Sequence, residues 1–266
     1  MLPGGKGANQ ALAARRAGAE VALYGAVGDD AFAAPACALL KRGGVDLSGV
    51  VRVSAATGVA LIHVDAHGEN AITMIPGANA LARSAQVPDD VLCTGTLLVM
   101  QLETPLSEVF ALSRRARARG VRVVLNAAPS APLEAEALAS IDVLVVNEGE
   151  AAALAAGCSI NDPIEFADAC NRRYGSTVII TRGARGAVAI DASGHRSVNA
   201  PPIQVVDSVG AGDAFVGALA AALERREAPA RALREGVAAG SLACTASGAQ
   251  TALPDRASIA ALADKL

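Results

Sequence analysis

Short apolar runs and segments with helical spacing alternate along most of the chain. From residue 97 onward the apolar runs include TLLVMQL, VRVVLNAAP and DVLVVNEGEA, and the segment SEVFALSRRARARG lies between the first two. Strands that alternate with helices are typical of a parallel sheet with right-handed crossovers. Further strands are predicted in STVIITRG and GAVAIDASGHRSV, followed by an apolar helix, GAGDAFVGALAAALERR, and two more helices. The pattern predicts an α/β fold.

The first third of the chain has a different order of elements. A helix is predicted in ANQALAARRAG, ending at Gly18, then a buried strand in AEVALYGAVGDD and a helix in AFAAPACALLKRGGV that Pro35 delays or kinks. The stretch TGVALIHVDAHGENAITMI contains two β-prone runs around a polar turn, which predicts a hairpin. We expect one domain over residues 1–266, with this hairpin inserted as a lid at 50–76.

Composition narrows the classes of partner. The chain has 266 residues, of which 52% are apolar and 2% aromatic, and its formal net charge is −3. This charge provides no basic field for nucleic acid or anionic lipid, so a small-molecule partner is expected. No apolar run approaches the roughly 18 to 20 residues that span a bilayer. Five cysteines without a C-x-x-C pair favour reduced thiols, and hence the cytoplasm.

The opening segment GGKGANQ has the composition of a phosphate-binding loop. A P-loop requires G-x-x-x-x-G-K followed by Ser or Thr, but Gly7 follows Lys6 and no first glycine lies upstream. The segment GAGDAF likewise fails the dinucleotide fingerprint, since the third glycine would fall on Phe215. Taken alone, GGKGAN is equally well explained as a flexible turn before a helix.

The segment DSVGAGDAFVGAL is more informative. Gly210, Ala211 and Gly212 leave backbone N–H groups uncovered where a long helix begins, and such a helix start favours a bound anion. Asp213 lies within one turn of that anion. An acidic residue in the first helical turn is also favoured by the helix dipole, so an isolated Gly-Asp pair would carry no functional meaning.

Other polar residues follow the predicted strands. Glu103 follows LLVMQ, Asn147 and Glu150 follow VLVV, and Thr181 and Gly183 follow VII. Ligands of open parallel sheets bind beyond the carboxyl ends of the strands, so these residues are expected to converge with the two glycine-rich helix starts on one cleft.

In these motifs the sequence resembles the ribokinase-like carbohydrate kinase family. GGKGANQA at 4–11 and DSVGAGDAFVGAL at 207–219 resemble its two signatures, and NEGE at 147–150 resembles its N-x-x-E motif, with TGVALI, PGANA, MQLE and TRGARG in family order between them. The resemblance implies a three-layer, Rossmann-like parallel sheet flanked by helices, with a small β lid. It also implies ATP-dependent phosphorylation of the 5-hydroxyl of D-ribose, with Mg²⁺ as cofactor, K⁺ or another monovalent cation as activator, and a homodimer formed through the lid.

The resemblance also assigns roles to individual residues. It makes Asp213 the general base and the backbone of Gly210, Ala211 and Gly212 the anion hole. The implied sets are as follows: sugar contacts at Gly5, Lys6, Gly7, Asn9, Glu103 and Asp213; ATP contacts at Asn147, Thr181, Gly183, Gly186 and Gly212; hydrated Mg²⁺ at Glu150; and K⁺ at Asp207, Val209, Ala243, Ala246 and Gly248. The family commonly has Ser where this chain has Ala252.

Two features stand apart from the family pattern. The family has a strand before GGKGAN whose end carries a sugar-binding Asp, whereas Met1, Leu2 and Pro3 stand there in this chain, so a sheet without its first strand is expected. A late start codon, a fragment and a degenerate homologue are the alternatives. Activity on deoxyribose, another pentose or a nucleoside, or a non-catalytic protein that only binds nucleotide, remain alternative functions. His63, Asp65 and His67 have metal-ligand types, but a solvated hairpin tip is the favoured interpretation.

Overall fold

A computed structural model of the protein describes residues 2–64 and 70–266. The helices are α1 (Lys6–Arg16), α2 (Ala33–Arg42), α3 (Leu106–Ala118), α4 (Ala135–Leu138), α5 (Glu148–Gly157), α6 (Pro163–Tyr174), α7 (Ala211–Glu224), α8 (Pro229–Ala243) and α9 (Arg256–Ala263). The strands are β1 (Ala22–Gly28), β2 (Asp46–Val53), β3 (Val59–Val64), β4 (Asn70–Ile75), β5 (Leu97–Met100), β6 (Arg122–Asn126), β7 (Val143–Asn147), β8 (Thr177–Thr181), β9 (Ala187–Asp191) and β10 (Gly194–Val198).

The central sheet has six strands in the order β10-β9-β8-β7-β6-β5. Strands β5 to β8 pair in parallel, and β9 and β10 extend the sheet antiparallel. Both faces are covered, because alternate residues of one strand enter different cores: Val123 and Leu125 point to one side and Val124 to the other. A strand buried on both faces has a continuous run of apolar residues, and such runs allow these strands to be predicted from the sequence.

Helices form a layer on each face of this sheet. Helices α3, α4, α5 and α6 contribute to the core on one face, and α7 and α8 contribute to the core on the other. Helices α1 and α9 pack against α7 and α8 on the outer side through a core built mainly of alanine and leucine. The predicted three-layer α/β fold is confirmed. Within the described residues, every helix is too short or too polar to cross a bilayer.

Strands β1 and β2 form a separate parallel pair, from Ala22 opposite Asp46 to Gly28 opposite Val53. Strand β2 was not predicted, and its residues 50–53 fall inside the range 50–76 assigned to the lid. Polar Ser48 and Arg52 interrupt the apolar pattern of β2. The segment forms a strand because its backbone pairs with β1, which the local sequence does not indicate. Strand β1 is only partly buried, contrary to the prediction. Strands β1 and β5 each pair with one neighbouring strand in the described part of the chain.

The lid range contains an antiparallel pair of strands. Val59 of β3 lies opposite Ile75 of β4, and Val64 lies opposite Asn70. The predicted turn and two residues of the HVDAH motif, Asp65 and His67, lie outside the described residues. Clusters of three metal-ligating side chains are absent from residues 2–64 and 70–266.

Helices α1 and α7 make a very close contact. A Cβ atom added to Gly217 would lie 2.4 Å from Ala13 Cβ, 2.7 Å from Ala14 N and 2.8 Å from the Gln10 carbonyl oxygen. The small residues on both helices therefore allow one backbone to lie directly against the other. This contact fixes the middle of α1, from Gln10 to Ala14, relative to α7.

We expect Gly217→Ala to destabilise the protein, because the added methyl group has to push α1 away from α7. Overpacking of this kind lowers the free energy of unfolding by about 1–3 kcal/mol. Urea unfolding monitored by circular dichroism measures the change. The matched control is Gly157→Ala in α5, where a new Cβ meets no atom within 4 Å among the described residues. That control is expected to be neutral or stabilising by up to about 1 kcal/mol. Equal effects of the two substitutions would contradict the close-contact explanation.

Candidate active site

Asp213 lies in the first turn of α7 and is the most deeply buried carboxylate at this end of the helix, at 8% exposure. The helix begins after Gly210, whose φ of 80° places it in the left-handed region. Both carboxylate oxygens accept hydrogen bonds from side chains of α1. Asn9 Nδ2 donates to Oδ2 at 2.8 Å, and Gln10 Nε2 donates to Oδ1 at 2.9 Å. The first signature motif thus directly contacts the second.

The backbone around Asp213 offers donors at the helix start. The Gly212 N–H has no acceptor in the part of the chain that the structure describes, whereas the Ala211 N–H donates to the Ser208 carbonyl at 3.2 Å. Gly212 is exposed, and a Cβ atom added there would meet nothing within 4 Å among the described residues. Open space beside an unpaired N–H at a helix N-terminus suits an anion.

The start of α1 lies against Glu103, which follows β5. The Lys6 backbone N–H donates to Glu103 Oε2 at 2.8 Å, and the same carboxylate oxygen would lie 3.9 Å from a Cβ on Gly5. Gly7 lies against the amide oxygen of Gln101, which would be 3.0 Å from an added Cβ. The structure therefore brings together all the residues predicted for the sugar site.

The Lys6 charge acts on three carboxyl groups from three elements. Burial raises the pKa of Glu103, while the Lys6 N–H and the Lys6 charge oppose this and the Asp213 charge adds to it. Burial also raises the pKa of Asp213, against the hydrogen bonds from Gln10 and Asn9 and the charge of Lys6. The pKa of Glu150 is raised by burial too, and there the Asn147 N–H and Lys6 lower it. Lys6 thus joins the predicted sugar side to the predicted nucleotide side.

The residues predicted to bind nucleotide lie at the ends of two adjacent strands. Asn147 of β7 pairs in register with Thr181 of β8. Asn147 Oδ1 accepts from the Glu150 N–H, and Glu150 Oε2 accepts from the Asn147 N–H, each at 2.8 Å, so these residues form a capping box. Gly183 and Gly186 bracket a 3₁₀ turn after β8, whose Arg185 forms an ion pair with Glu148.

The residues predicted to hold a monovalent cation also lie close together. Asp207 Oδ1 accepts from the Val209 N–H at 3.0 Å, and Oδ2 accepts from the Gly248 N–H at 2.9 Å. These bonds lower the pKa of Asp207. Ala243 is the last residue of α8, and Ala246 lies between that helix and Gly248. Ala252, which follows Gly248, is buried. The acidic side chain and two loop segments are assembled, and the role of the set stays a prediction.

Four buried or partly buried amide side chains at the site were not predicted from the sequence. Gln10, Gln101, Asn126 and Gln250 are linked by hydrogen bonds to one another or to Asn9 and Asp213. Gln10 directly follows Asn9 in the first signature, and Asn126 ends β6, so polar residues at buried positions were the available signal.

The sequence profile described as pfkB family carbohydrate kinase matches residues 1–256. A ribokinase of Haemophilus influenzae is 36% identical over 259 residues, covering 95% of this chain and 84% of the relative. A deoxyribokinase of Salmonella typhi is 32% identical over 262 residues, covering 94% and 84%. A solved structure of Arabidopsis thaliana ribokinase, complexed with ribose and ATP, superposes with a TM-score of 0.90 at 30% identity, covering 98% of this chain and 88% of that one.

We expect Gly210→Ala to destabilise the start of α7. A Cβ atom there would lie 2.8 Å from Ala249 Cα and 2.9 Å from the Ala249 carbonyl oxygen, and φ is 80°. Left-handed backbone and steric overlap each disfavour a side chain, so a loss of about 1–3 kcal/mol is expected in urea unfolding. Gly212→Ala, two residues away and without either problem, is the control and is expected to unfold like the parent chain. A destabilised Gly212→Ala with an unaffected Gly210→Ala would refute this account.

Proposed function

The chain belongs to the pfkB family of carbohydrate kinases, and we propose that within this family it transfers the γ-phosphate of ATP to the 5-hydroxyl of D-ribose. One observation carries the proposal: the buried Asp213 carboxylate lies at the N-terminus of α7, against the Asn9 and Gln10 amides of the glycine-rich helix start. Relatives named ribokinase, one of them complexed with ribose and ATP, support ribose as the acceptor.

Asp213 is proposed as the general base. A carboxylate of ordinary pKa, near 4, does not remove a proton from a free alcohol. It need only accept the proton late, once bonding between the sugar oxygen and phosphorus has made the hydroxyl acidic. Burial, which raises the pKa of Asp213, makes this carboxylate a better acceptor than an exposed one. The fixed position of Asp213 in the first turn of α7 matters more than its basicity.

The start of α7 is proposed as the anion hole. The unpaired Gly212 N–H donates to an oxygen of the transferring phosphoryl group, and the Ala211 N–H exchanges its 3.2 Å bond to Ser208 for a second oxygen. The αL turn at Gly210 orients both groups. Losing one donor of this kind typically raises a barrier by about 3 kcal/mol.

The sugar site is proposed to use Gly5, Lys6, Gly7, Asn9 and Glu103. Glu103 gives one oxygen to the Lys6 N–H, which leaves the other for a sugar hydroxyl. An ammonium group, an amide and a carboxylate can together match several hydroxyl groups, and a site built on hydrogen bonds rejects analogues that lack one of them.

The nucleotide and Mg²⁺ are assigned mainly to the ends of β7 and β8, and K⁺ to the segments before α7 and at the end of α8. We propose ATP contacts at Asn147, Thr181, Gly183, Gly186 and Gly212. Glu150 suits hydrated Mg²⁺, because that ion keeps several waters and needs few protein ligands, and the ion would neutralise phosphate charge. For K⁺ we propose Asp207 with the backbone of Val209, Ala243, Ala246 and Gly248. Two of these residues, Val209 and Gly248, donate backbone hydrogen bonds to the Asp207 carboxylate.

The hairpin β3–β4 is proposed as a lid that also pairs two copies of the chain. Its exposed apolar side chains include Leu61 and Ile75, and Met74 next to Ile75 points to the opposite face. One apolar face is available for a second copy and the other for closure over the sugar, where exclusion of water protects the phosphoryl donor. The five free thiols support our placement of the protein in the cytoplasm.

A substrate panel tests the proposed reaction. With ATP and Mg²⁺, we expect D-ribose to be phosphorylated with a higher kcat/KM than 2-deoxyribose, fructose or adenosine, and phosphorus-coupled NMR of the product to locate the phosphate on O5. The matched control is Asp213→Asn, which keeps the side-chain size and is expected to reduce kcat by about 10²–10⁴-fold. A preference for 2-deoxyribose would favour the alternative named by the Salmonella typhi relative. Nucleotide binding without turnover of any sugar would favour the non-catalytic alternative.

The rate should also depend on pH in a way set by Asp213. The base must be ionised, so kcat falls as the pH drops through the pKa of this group. We call this decrease of kcat at low pH the acid limb. Because burial raises the pKa of Asp213, we expect the midpoint of the acid limb to lie above the usual aspartate pKa of about 4. Measuring kcat at saturating ribose and ATP between pH 4 and pH 9, with buffers of about constant ionic strength, locates the limb. The residual activity of Asp213→Asn should lack this limb, and a persisting limb would assign it to another group.

A further inference from the structure

The Asp213 carboxylate is held by an amide whose direction is fixed from outside the site. Gln10 Oε1 accepts from Gln101 Nε2 at 2.7 Å, and Gln10 Nε2 donates to Asn126 Oδ1 at 2.9 Å as well as to Asp213 Oδ1. Asn126 Nδ2 donates to the Val145 carbonyl of β7 at 3.2 Å. We call Gln101, Gln10 and Asn126 the amide chain.

The direction of the amide chain follows from its last member. A backbone carbonyl only accepts, so Asn126 must turn its Nδ2 to Val145 and its Oδ1 to Gln10. Gln10 must then present its NH₂ group to both Asn126 and Asp213, and its oxygen to Gln101. Both N–H donors of Gln10 are used in this arrangement. The residues come from α1, β6 and the end of β5, so the sheet itself orients the amide.

We propose that Gln10 is a positioning residue for phosphoryl transfer, which it serves by holding the Asp213 carboxylate in one orientation through an amide that Gln101 and Asn126 keep pointed at it. The proposal rests on the proposed role of Asp213 as general base. Gln10 is 2% exposed and Asp213 8%, so water does not readily replace a lost donor. Asn9, itself oriented by Gln250 Nε2 at 3.1 Å, holds the second carboxylate oxygen.

The amide chain has an electrostatic consequence. The hydrogen bond from Gln10 lowers the pKa of Asp213 against the raising effect of burial. The charged groups facing Asp213 are Lys6 of α1 and Glu103 after β5. Helix α8, which packs along α7, carries Glu235 in an ion pair with Arg225, at the far end of α7 from Asp213. The Gln10 hydrogen bond is the largest of the effects that lower the pKa of Asp213. Removing this donor therefore raises that pKa while leaving the charged neighbours of Asp213 in place.

A merely structural role for Gln10 predicts a different result from a positioning role. Loss of packing alone would lower stability and the amount of folded enzyme, with an unchanged pH profile of kcat per folded molecule. Loss of positioning would lower kcat and move the acid limb. KM for ATP would stay within about threefold, since four of the five proposed nucleotide contacts lie at or just after the ends of β7 and β8, and the fifth, Gly212, keeps its backbone N–H.

The first test uses Gln10→Met, which keeps the length of the side chain and removes the amide. We expect kcat to fall by about 10–100-fold, because one hydrogen bond to an ionised group is lost. We also expect the acid limb of the kcat profile to move up by about one pH unit. The matched control is Gln86→Met, because Gln86 donates to the Gly25 carbonyl away from Asp213. That control should leave kcat and the acid limb unchanged. A folded Gln10→Met with the parent pH profile and kcat overturns the proposal.

The second test perturbs the amide without changing the charge near Asp213. Gln101→Met removes the NH₂ group that donates to Gln10 Oε1, so the Gln10 amide loses one of the two neighbours that fix its direction. Gln101 is only partly buried, so this variant serves even where Gln10→Met fails to fold. We expect kcat to fall and the acid limb to rise again, by less than in Gln10→Met, because Asn126 still holds the amide. An unchanged kcat and acid limb in folded Gln101→Met overturn the oriented amide chain.

A third measurement does not depend on turnover. In protein labelled with carboxyl ¹³C-aspartate, the signal that disappears in Asp213→Asn reports the titration of Asp213 directly. We expect its midpoint to rise by about one pH unit in Gln10→Met and not in Gln86→Met. A shift in an enzyme that phosphorylates no sugar would support the amide chain while contradicting the proposed function. An unshifted midpoint in Gln10→Met, with a parent enzyme that phosphorylates ribose, would contradict the amide chain while supporting the proposed function.

Discussion

The site depends on the contact between α1 and α7. Because Gly217 has no side chain, the backbone of α1 lies directly on α7. A Cβ atom added to Gly217 would be only 2.8 Å from the Gln10 carbonyl oxygen. This distance places the amides of Asn9 and Gln10 within hydrogen-bond reach of Asp213, some two hundred positions later in the chain. Interior packing is dense and has low compressibility, so a backbone contact of this kind restricts where the side chains of α1 can lie. The alanine-rich composition of both helices is therefore part of the geometry of the site.

The second constraint is the balance of charge around Asp213. Three buried or partly buried carboxyl groups, Asp213, Glu103 and Glu150, lie within electrostatic range of one ammonium group, that of Lys6. Burial raises the pKa of each, and Lys6 opposes the rise in each. Taking ions out of water is unfavourable unless partners compensate, so this part of the cleft is not arranged for maximum stability. Such perturbed groups concentrate where a protein binds or transforms charged ligands.

Much of the fold could be predicted from the sequence, and the reasons differ between elements. Strands such as β6 and β8 are buried on both faces, so their apolar runs appear without reference to any partner. Strand β2 was missed because Ser48, Gly49 and Arg52 break its pattern, and only pairing with β1 makes it a strand. The signature motifs located Asp213, Lys6 and Glu103. They did not reveal the amide chain, because Gln10 meets Gln101 and Asn126 across 91 and 116 positions and nothing local in the sequence records those contacts.

The glycine-rich opening segment GGKGAN shows how spacing and structure answer different questions. Spacing excludes a P-loop, since no hydroxyl residue follows Lys6. The structure adds that Lys6 starts a helix and that its backbone N–H donates to Glu103, so its backbone belongs to the predicted sugar site. Its side-chain charge nevertheless reaches Glu150, at the end of the strand that carries the predicted nucleotide contacts. Under the proposed function, a cation within electrostatic range of both groups is available to stabilise the negative charge that develops between the sugar hydroxyl and the phosphate. Lys6 is therefore the residue that would couple the proposed sugar site to the proposed nucleotide site, a role that does not require the spacing of a P-loop.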